Sequence, residues 1–582
     1  MGVEGFRGSI CNKNKWRKCC HPVDLSKVSS LFIDFNGIIH NAKSKVYLLN
    51  DGKLSDKDQE ELDKKRKNLM KKSKEFLEEQ HISEVIKLLE KEIEKLNPTD
   101  NIIIAVDGVV NSAKMNQQKS RRFLGGVSNK KDQYFIFDGN SITPGTKFMV
   151  NLDSALEKWT ENKGRHYAKR VIYSSHLSPG EGEHKIFDYI RKGDLIKGDG
   201  LNIIHGQDND LIILSTVCDL KNMIMLDQDG KKDPIVVDEL REIVIENMKF
   251  PGSNDKLTLQ DFCVVSTLFG NDFLHKFPNV LRLHNAFEIV FRIYGFQKSH
   301  LTDENNNIVW GNYMVFLSNY NKFKGKDHFY REYLNDTRIH EPYPEIEKAF
   351  VEEDGEIKLD RKKFKRLWYY KQFNPEMLQW DGKVVEKYSD KLIQEMCINY
   401  LQTVQWVQYY YTKGLNYISN YHYYHYIYNP LIDEIVTVLR LIIEKNKTNI
   451  LRDVVYKTEE VKLNPIHQLI SVLPYSSIDI LPRGYKTIYN KYMNKLNPRS
   501  FVISMENAYK PHHKTAILPG VNLPYVNKIL VDSNYKLPKN LKEKKDSVYF
   551  KKYQELMDPD QDLLIDYDSD EDKYAVSDKM LI

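Results

Sequence analysis

Seven acidic residues from five short, separated segments are the side chains of this 582-residue chain that are best suited to chemistry. Three of the segments are runs of Ile, Val, Leu and Phe that end at an acid and are followed closely by Gly or Asn. Such runs are typical of buried parallel strands that present a carboxylate at the carboxyl edge of a sheet. The acids are Asp34 in LFIDFNGIIH, Asp107 in IIIAVDGVVN, Glu181 and Glu183 in SPGEGEHK, Asp208 and Asp210 in IIHGQDNDLIIL, and Asp272 in LFGNDFLHKFP.

Carboxylates gathered at one edge of a sheet would repel each other unless a cation lay between them. Hard divalent cations that prefer oxygen ligands, Mg²⁺ or Mn²⁺, fit such a donor set. We therefore expect these seven acids to hold metal ions, and the pattern indicates a metal-dependent phosphodiesterase.

A basic helix face directly follows the second acid. In VVNSAKMNQQKSRRF, Lys114, Gln118, Arg121 and Arg122 stand at i, i+4, i+7 and i+8, which places them on one side of a helix. Two guanidinium groups, an ammonium and an amide suit a terminal phosphate, because Arg binds phosphate oxygens bidentately and Lys adds a point charge. A solvated basic face is the alternative, and the position next to Asp107 favours the phosphate pocket.

Glycines frame the third acidic segment, SPGEGEHK. Gly180 and Gly182 allow close approach of the backbone, and a helix that begins near His184 would place its N-terminus beside the acids. Capping of that helix is the alternative role for Glu181 and Glu183. One capping acid would suffice, so a pair of acids favours metal binding.

The DND sequence supplies Asp208 and Asp210 on one side of an extended segment, because alternate residues of such a segment share a face. The pair could share or bridge a metal ion. Two aspartates at this spacing are common in proteins, but their place at the end of a buried strand favours metal binding here. His40, six residues after Asp34, is either a packed or capping histidine or a residue that stacks on a base or contacts phosphate.

Strand-like runs alternate with helical patterns over residues 1–290, which predicts an α/β domain with a mainly parallel sheet and flanking helices. One helix is predicted over Ser83–Leu96, where Val85, Leu88, Leu89 and Ile93 mark one face. The predicted strands are Leu31–Phe35, Ile102–Asp107, Val171–Ser175, Leu201–His205 and Met223–Leu226.

The rest of the chain divides into a mixed helical, aromatic-rich region over residues 291–535 and a linker with an acidic tail over residues 536–582, expected to be disordered. Residues 56–79 are dense in both charge signs, so we interpret them as an inserted, solvent-exposed helix. Nucleic-acid contact through Lys64–Lys67 is the alternative for that insertion. From Asp558 onward nine acids stand against two lysines, which leaves a basic body suited to binding a polyanion.

The sequence contains no apolar run near the roughly 18 residues that span a membrane. The N-terminal MGVEGFRGS lacks the apolar stretch of a signal peptide. We therefore expect a soluble, intracellular protein.

These motifs together resemble the XRN family of 5′→3′ exoribonucleases, within the larger PIN/FEN-like nuclease group. The first block of similarity comprises DFNGIIHN, AVDGVVNSAKMNQQKSRRF, FDGNSITPGTKFM, SPGEGEHKIFDYIR, GQDNDLIIL and LFGNDFLHKFP. The segments QWVQYYYTKG, YHYYHYIYNPL, QLISVLP and AILPGVNLPYV resemble the family's second conserved region. The resemblance extends to about Leu530, and motifs of this length in this order are highly specific.

The resemblance implies an enzyme that hydrolyses single-stranded RNA with a 5′-monophosphate from its 5′ end and releases nucleoside 5′-monophosphates. It implies that all seven acids surround metal ions, Mg²⁺ or Mn²⁺ and two in number, which activate a water and neutralise charge on the departing oxygen. The family's 5′-phosphate pocket falls on Lys114, Gln118, Arg121 and Arg122.

The chain also departs from the family pattern. It opens GVEGFRGSICNKNKW where the family usually has GVP-x-FF-x-W, and the insertion at residues 56–79 lengthens the gap between the first two acids. A Trp-Ser-Trp that typically precedes the family's Tyr-rich run is absent, and the chain has NYHYY there. His40, Tyr421 and His422 are therefore the candidates for base stacking.

Composition and resemblance together suggest a compact family member from a protist or a large DNA virus, because the chain is rich in Lys, Asn, Ile and Tyr. We expect a monomer that acts in cytoplasmic RNA or mRNA decay, with a nuclear or virion-associated location as the alternative. Two rival functions are a structure-specific flap endonuclease acting on DNA and a catalytically inactive RNA-binding scaffold. An inactive scaffold should have lost one or more of the acids, and all seven are present.

Overall fold

A mainly parallel sheet carries the segments that end in acidic residues. The computed structural model describes residues 16–49, 55–131, 134–206, 208–227, 232–277, 286–323, 330–331, 334–335, 339, 341–353, 355–373, 388–455, 457, 460–506 and 514–551. Among these residues the strands are β1 (Val28–Asp34), β2 (Asn101–Ala105), β3 (Arg170–Ser174), β4 (Leu201–His205), β5 (Met223–Leu226), β6 (Ile235–Val236), β7 (Phe350–Glu353), β8 (Glu356–Leu359), β9 (Val502–Ser504), β10 (Thr515–Ile517) and β11 (Ser547–Phe550).

Seven of these strands form one sheet in the order β11-β3-β2-β1-β4-β5-β6. The five inner strands are parallel, and β11 and β6 pair antiparallel at the two edges. β7 with β8, and β9 with β10, form separate two-stranded antiparallel ladders. Because the inner strands all point the same way, their carboxyl ends meet at one edge of the sheet.

Helices cover both faces of the sheet and build the second region. Within the described residues, no helix is both long enough and apolar enough to cross a membrane. The helices are α1 (Asn36–Val46), α2 (Asp56–Leu69), α3 (Lys74–Leu96), α4 (Ser112–Lys131), α5 (Lys147–Asn162), α6 (Gly182–Lys192), α7 (Asp210–Val217), α8 (Val237–Met248), α9 (Asp255–Ser266), α10 (Ala286–Gln297), α11 (Trp310–Lys322), α12 (Pro344–Ala349), α13 (Arg361–Gln372), α14 (Asp390–Thr412), α15 (Ile432–Glu444), α16 (Pro465–Val472), α17 (Arg483–Tyr492) and α18 (Leu523–Asp532).

The central strand β1 buries alternate residues in two different helix layers. Leu31 and Ile33 belong to a core with side chains of α1, α3 and α5, whereas Phe32 belongs to a core with side chains of α6 to α9. Every residue of β1 is buried. This two-sided burial explains why the strands appear in the sequence as continuous apolar runs.

The second region packs directly on the helices that follow the acidic strands. Helix α14 is buried along most of its length, with Trp406 and Tyr410 almost inaccessible to solvent, and it contacts α7 and α9. Helix α16 lies along α4, where Gln468 Nε2 donates to Gln118 Oε1 at 2.8 Å. The same amide accepts a hydrogen bond from the backbone N–H of Val110 at 3.1 Å. An aromatic-rich helical region packed against the α/β domain is thus confirmed.

The main sequence predictions agree with these elements. β4 and β5 coincide with the predicted strands over residues 201–205 and 223–226, and β1, β2 and β3 overlap the other three. Helix α3 includes the predicted helix over Ser83–Leu96 but begins earlier, at Lys74. Helix α2 has no buried residue, as predicted for residues 56–79, but it ends at Leu69. Residues 74–79 belong instead to α3, where Leu77 and Glu78 are buried, so this part of the prediction is wrong. The α/β fold with a mainly parallel sheet is therefore confirmed.

One local prediction near the acids is wrong. The DND segment is not extended, because Asn209 has helical φ and ψ of −68° and −19° and Asp210 is the first residue of α7. The apolar residues that follow Asp210 are buried within this helix. The helix start predicted near His184 is confirmed, since α6 begins at Gly182 and Glu183 lies within its first turn.

The boundaries predicted between the regions also differ from the structure. Helix α10 runs across the boundary predicted at residue 290. Part of the predicted linker is ordered, because Ser547–Phe550 add the edge strand β11 beside β3. Asp546 anchors this strand, since its carboxylate accepts hydrogen bonds from the hydroxyls of Ser174 at 2.7 Å and Tyr189 at 2.8 Å. The acidic tail over residues 552–582 lies outside the described residues.

Glycines at two positions let the backbone loops of the sheet edge approach each other. A Cβ on Gly108 would lie 1.8 Å from the carbonyl oxygen of Ser178, and the Gly108 N–H donates to Gly180 O at 2.8 Å. A Cβ on Gly182 would lie 2.7 Å from the carbonyl oxygen of Ala105. No other residue type fits either position without moving backbone atoms, so the fold requires these glycines.

We expect Gly108→Ala to lower the free energy of unfolding by about 1–3 kcal/mol or more, because the added methyl group overlaps a backbone carbonyl. Gly125→Ala is the matched control, since a Cβ at this position in α4 meets no atom within 4 Å. Alanine there should stabilise the helix by up to about 1 kcal/mol. Urea denaturation of both variants measures the difference, and equal midpoints for Gly108→Ala and the wild type would contradict the close approach.

Candidate metal centre and basic pocket

The parallel strand ends bring the first two acids to the same edge of the sheet. Asp34 is the last residue of β1, and Asp107 follows the end of β2 by two residues. The hydrogen bonding between β1 and β2 continues one residue beyond the end of β1, since Phe35 N donates to Ala105 O at 3.0 Å. Both carboxylates are therefore presented from backbone that the sheet holds in place.

Three carboxylates converge at this edge. Asp34, Asp107 and Glu183 each offer an oxygen atom, and these oxygens lie within 4.8 Å of one another. The side-chain amide of Asn36 donates to Asp107 Oδ2 at 2.7 Å, and the Gly182 N–H donates to Oδ1 at 2.8 Å. These two hydrogen bonds orient the Asp107 carboxylate toward its neighbours.

A buried lysine holds two of the remaining acids. Lys114 Nζ lies 2.8 Å from Asp272 Oδ2 and also forms an ion pair with Glu181 Oε1. The hydroxyl of Tyr410, on α14, donates to Glu181 Oε2. Glu181 is thus held at both oxygens, and the second region contributes a side chain directly to the acidic centre.

Asp208 and Asp210 complete the set of seven acids. Asp210 is buried in the first turn of α7, and Asp272 is close enough to raise its pKa. Asp208 lies near Asp34, whose pKa it helps to raise. The structure therefore brings all seven acids predicted from the sequence to one end of the sheet, although their roles as metal ligands stay a prediction.

Burial and mutual repulsion disfavour the ionised forms of several of these acids. Burial, and then the carboxylate of Asp107, raise the pKa of Asp34 well above its usual range. Burial, and then Glu181 and Asp34, do the same for the pKa of Glu183. Burial and the Asp272 carboxylate raise the pKa of Asp210 to about 7.

Lys114 offsets only part of this negative charge. Burial alone would raise the pKa of Asp272, but the Lys114 ammonium lowers it below the usual range of a carboxyl group. One ammonium among seven carboxylates leaves a strongly negative, oxygen-rich centre. Hard divalent cations such as Mg²⁺ and Mn²⁺ prefer this donor set, so the residues present fit a bound metal.

The predicted phosphate-binding residues share a face of helix α4 but differ in environment. Lys114 is buried among the acids, and Gln118 is buried against the second region. Arg121 is exposed, and Arg122 is partly exposed with Nε donating to Thr143 Oγ1 at 3.1 Å. Burial and the neighbouring Arg121 lower the pKa of Arg122 to about 10, which leaves it charged at neutral pH. Phosphate binding by these residues stays a prediction.

His40 lies beside the basic pocket. Part of this residue of α1 is exposed to solvent, while burial, and then Lys43 and Arg122, lower the pKa of the imidazole to about 3, so the ring is neutral. Contact with a base or a phosphate, and the alternative of a packed or capping histidine, stay predictions.

The other two stacking candidates are held within the second region. The Tyr421 hydroxyl accepts a hydrogen bond from Val461 N at 2.7 Å, and His422 Nε2 lies 2.9 Å from Thr403 Oγ1. Burial lowers the pKa of His422 to about 3, so its ring is neutral at physiological pH. Stacking on RNA bases stays a prediction for both residues.

Three polar side chains that orient the centre were not predicted from the sequence. They are Asn36, Tyr410 and Lys185. The side chain of Lys185 is buried, and its Nζ donates to Val106 O at 2.7 Å and to Ser175 O at 2.8 Å, which ties the ends of β2 and β3 together. All three lie in motifs noted in the sequence, DFNG, QYYYTKG and GEHK. Motif membership marks them as candidates, but only the fold shows what they contact.

Comparison with known protein families gives two matches along the chain. Residues 1–229 match the family described as "XRN 5'-3' exonuclease N-terminus", and residues 345–557 match the "Xrn1 helical domain". The first match includes six of the seven acids and the basic pocket. The second includes Tyr410, and Asp272 lies between the two matches.

Individual 5'-3' exoribonucleases are similar to this chain over different fractions of its length. It is 23% identical to human 5'-3' exoribonuclease 1 over 88% of this chain and 33% of the human protein. It is 26% identical to 5'-3' exoribonuclease 1 of Saccharomyces cerevisiae over 50% of this chain and 20% of the yeast protein. Identity to 5'-3' exoribonuclease 2 of Neurospora crassa is 31% over 33% of this chain and 20% of that protein. The chain thus spans a third or less of the length of these relatives.

The repulsion within the centre generates a prediction about stability without metal. In chelator, we expect Asp210→Asn to be more stable than the wild type, because the raised pKa of Asp210 means that ionisation of this group opposes folding. The advantage should grow by up to about 1.4 kcal/mol per pH unit from about pH 4, near the pKa of an unfolded Asp, to about pH 7 and then level off. Chemical denaturation at a series of pH values measures it.

Glu242→Gln, which removes an exposed acid of α8, is the matched control and should show no such pH dependence. Saturating Mn²⁺ should stabilise the wild type more than Asp210→Asn and so reverse the order of stability. A constant difference between Asp210→Asn and the wild type across this pH range would contradict the burial of an ionised Asp210.

Proposed function

Because the chain belongs to the XRN family of 5'-3' exoribonucleases, we propose that it is a metal-dependent enzyme that degrades RNA from a 5′-monophosphate end. Its products are nucleoside 5′-monophosphates, its substrate is single-stranded RNA, and its role is in RNA decay in the cytoplasm, as a monomer. The observation that carries the proposal is the convergence of three carboxylates, with four further acids around them, beside a helix face that bears two arginines. The carboxylate centre suits cleavage of a phosphodiester bond, and the basic helix face suits binding of a terminal phosphate. Removal of nucleotides from a phosphorylated end needs both sites next to each other.

Asp34, Asp107 and Glu183 would hold one divalent cation, and Asp208, Asp210, Asp272 and Glu181 would take part in holding a second. Bound Mg²⁺ or Mn²⁺ supplies a Lewis acid that activates water and neutralises the departing 3′ oxygen. The hydrogen bonds from Asn36 and the Gly182 backbone keep the Asp107 carboxylate in place. Lys185 fixes the strand ends that carry the surrounding loops.

The basic pocket would recognise the 5′ end and set the position of the cut. Arg121 and Arg122 present guanidinium groups, which match phosphate oxygens bidentately, and Gln118 adds an amide on the same face. These residues are on the helix that begins five residues after Asp107, so the bound end lies a fixed distance from the carboxylates. A fixed distance favours release of one nucleotide at a time, and a fixed pocket excludes bulkier 5′ ends.

A degradation assay with three RNAs tests the proposal. RNA with a 5′-monophosphate, a 5′-hydroxyl or a 5′-triphosphate is incubated with the protein and Mg²⁺. We expect rapid loss of the monophosphate RNA to mononucleotides, a preference of about a hundredfold or more over the 5′-hydroxyl RNA, and no activity in chelator. Asp208→Ala should lower the rate about a hundredfold or more, whereas Glu242→Gln should retain it.

Arg121→Ala tests the basic pocket separately from the metal centre. It should reduce the preference for the 5′-monophosphate about tenfold or more, because it removes a charged hydrogen-bond donor. Arg440→Ala, at an exposed arginine of α15, is its control. Equal degradation of all three RNAs would overturn the pocket, and internal cleavage of a DNA flap would favour the rival endonuclease.

Tyr410→Phe tests whether the second region positions the centre. Loss of the hydroxyl removes a hydrogen bond to the Glu181 carboxylate while the ring keeps its stacking on Trp406 at 4.9 Å. We expect the turnover number to fall about tenfold or more with little change in KM or in stability. Tyr409→Phe is the control, because that hydroxyl donates to Asn307. An unchanged turnover number would show that Glu181 needs no such support.

A further inference from the structure

Lys114 has a position that phosphate binding alone does not explain. Its ammonium is buried between the carboxylates of Asp272 and Glu181 and does not project toward solvent beside Arg121. The side chain of Lys114 is 6% exposed, while Arg121 on the same helix face is exposed. The residue thus serves as a counterion within the acidic centre in the absence of RNA.

Five of the seven acids form two different arrangements. Asp34, Asp107 and Glu183 have oxygens that lie within 4.8 Å of one another. Glu181 and Asp272 instead have Lys114 between them, and Tyr410 holds the other oxygen of Glu181. The three oxygens of the first arrangement are close enough to share one cation, whereas the Lys114 ammonium already lies between the two carboxylates of the second.

Helix geometry places the lysine within reach of the phosphate pocket. Lys114 and Gln118 are separated by four residues of α4, which is about one turn or 6 Å along the helix axis. The lysine ammonium is carried on a flexible four-carbon stem, so it can move across one helical turn without a change in the backbone. A dianionic phosphate on Arg121 and Arg122 would attract it in that direction.

From these contacts, and resting on the proposed function, we propose that Lys114 is a substrate-controlled counterion. Without RNA its ammonium offsets half of the negative charge of Glu181 and Asp272; with a 5′-phosphate in the pocket the ammonium moves to the phosphate and frees both carboxylates for a second divalent cation. The doubly charged ion then neutralises the two carboxylates fully, while the ammonium offsets negative charge on the phosphate. Recognition of the 5′ end and completion of the metal centre thereby become one event.

Movement of Lys114 would make the rate of cleavage, and not only the affinity for RNA, depend on the chemical group at the 5′ end. RNA with a 5′-hydroxyl brings no dianion to Arg121 and Arg122, so Lys114 stays between Glu181 and Asp272. The centre then holds a single divalent cation, and bound RNA is not cut efficiently. Single-stranded RNA that enters without the correct end is thus protected even at saturating concentration.

Counting bound Mn²⁺ by electron paramagnetic resonance tests the proposal without measuring turnover. The wild type is titrated alone, with 5′-monophosphate RNA whose first linkages resist hydrolysis, and with the same RNA bearing a 5′-hydroxyl. We expect one tightly bound ion alone, two with the monophosphate RNA, and one with the hydroxyl RNA. Lys114→Met should bind two ions in all three states, and Lys158→Met, at an exposed lysine of α5, should behave as the wild type.

The wild-type titrations decide the matter even if Lys114→Met does not fold. Two tight ions without RNA, or the same number with both RNAs, would overturn the role of Lys114. Degradation of cleavable 5′-monophosphate RNA is measured in parallel. Degradation with an unchanged ion count rejects the counterion and leaves the proposed function intact, whereas no degradation and no change in the count reject both.

Discussion

Repulsion among buried carboxylates is the constraint on which the rest of the structure depends. Seven acids at one end of a sheet destabilise the fold by desolvation and by like charge, and the raised pKa values of Asp34, Glu183 and Asp210 express both effects. The protein tolerates this cost because each acid is attached to backbone that is fixed by other interactions. The apolar core on both faces of the sheet supplies that stability.

Backbone proximity determines how closely the carboxylates can gather. The loops at residues 107–109 and 178–182 touch through their main chains, and glycines at 108 and 182 leave the space for that contact. Side chains that begin from touching loops converge without any change in the strands. Asn36 and Lys185 then fix the loops by bonding to a carboxylate and to carbonyl oxygens, respectively.

The second region is part of the centre and not merely a cover for the sheet. Its helix α14 brings Tyr410 to Glu181 within a stack of aromatic rings, and His184 of α6 lies against the same tyrosine with 3.7 Å between ring centroids. Its helix α16 binds Gln118 in the middle of the basic face. Movement of either helix would therefore shift an acid or a side chain of the basic face, so the two regions must act as one unit.

The sequence was sufficient for the strands and for the set of acids, because both are local patterns. Buried parallel strands require continuous apolar runs, and Asp34, Asp107 and Asp208 each lie just beyond such a run. Tyr410, by contrast, acts on an acid 229 positions earlier in the chain, and Asp546 anchors an edge strand to Ser174 across 372 positions. No periodicity encodes such pairings.

The helical start at Asp210 escaped prediction for a different reason. Leu211–Leu214 are apolar enough for either a strand or a buried helix, and only packing against α8 and α9 decides between them. Local patterns therefore place the charges at the sheet edge, while long-range packing decides which of them are compensated. Since that compensation determines where a cation can bind, the chemistry of this centre depends on the tertiary structure more than its residue list suggests.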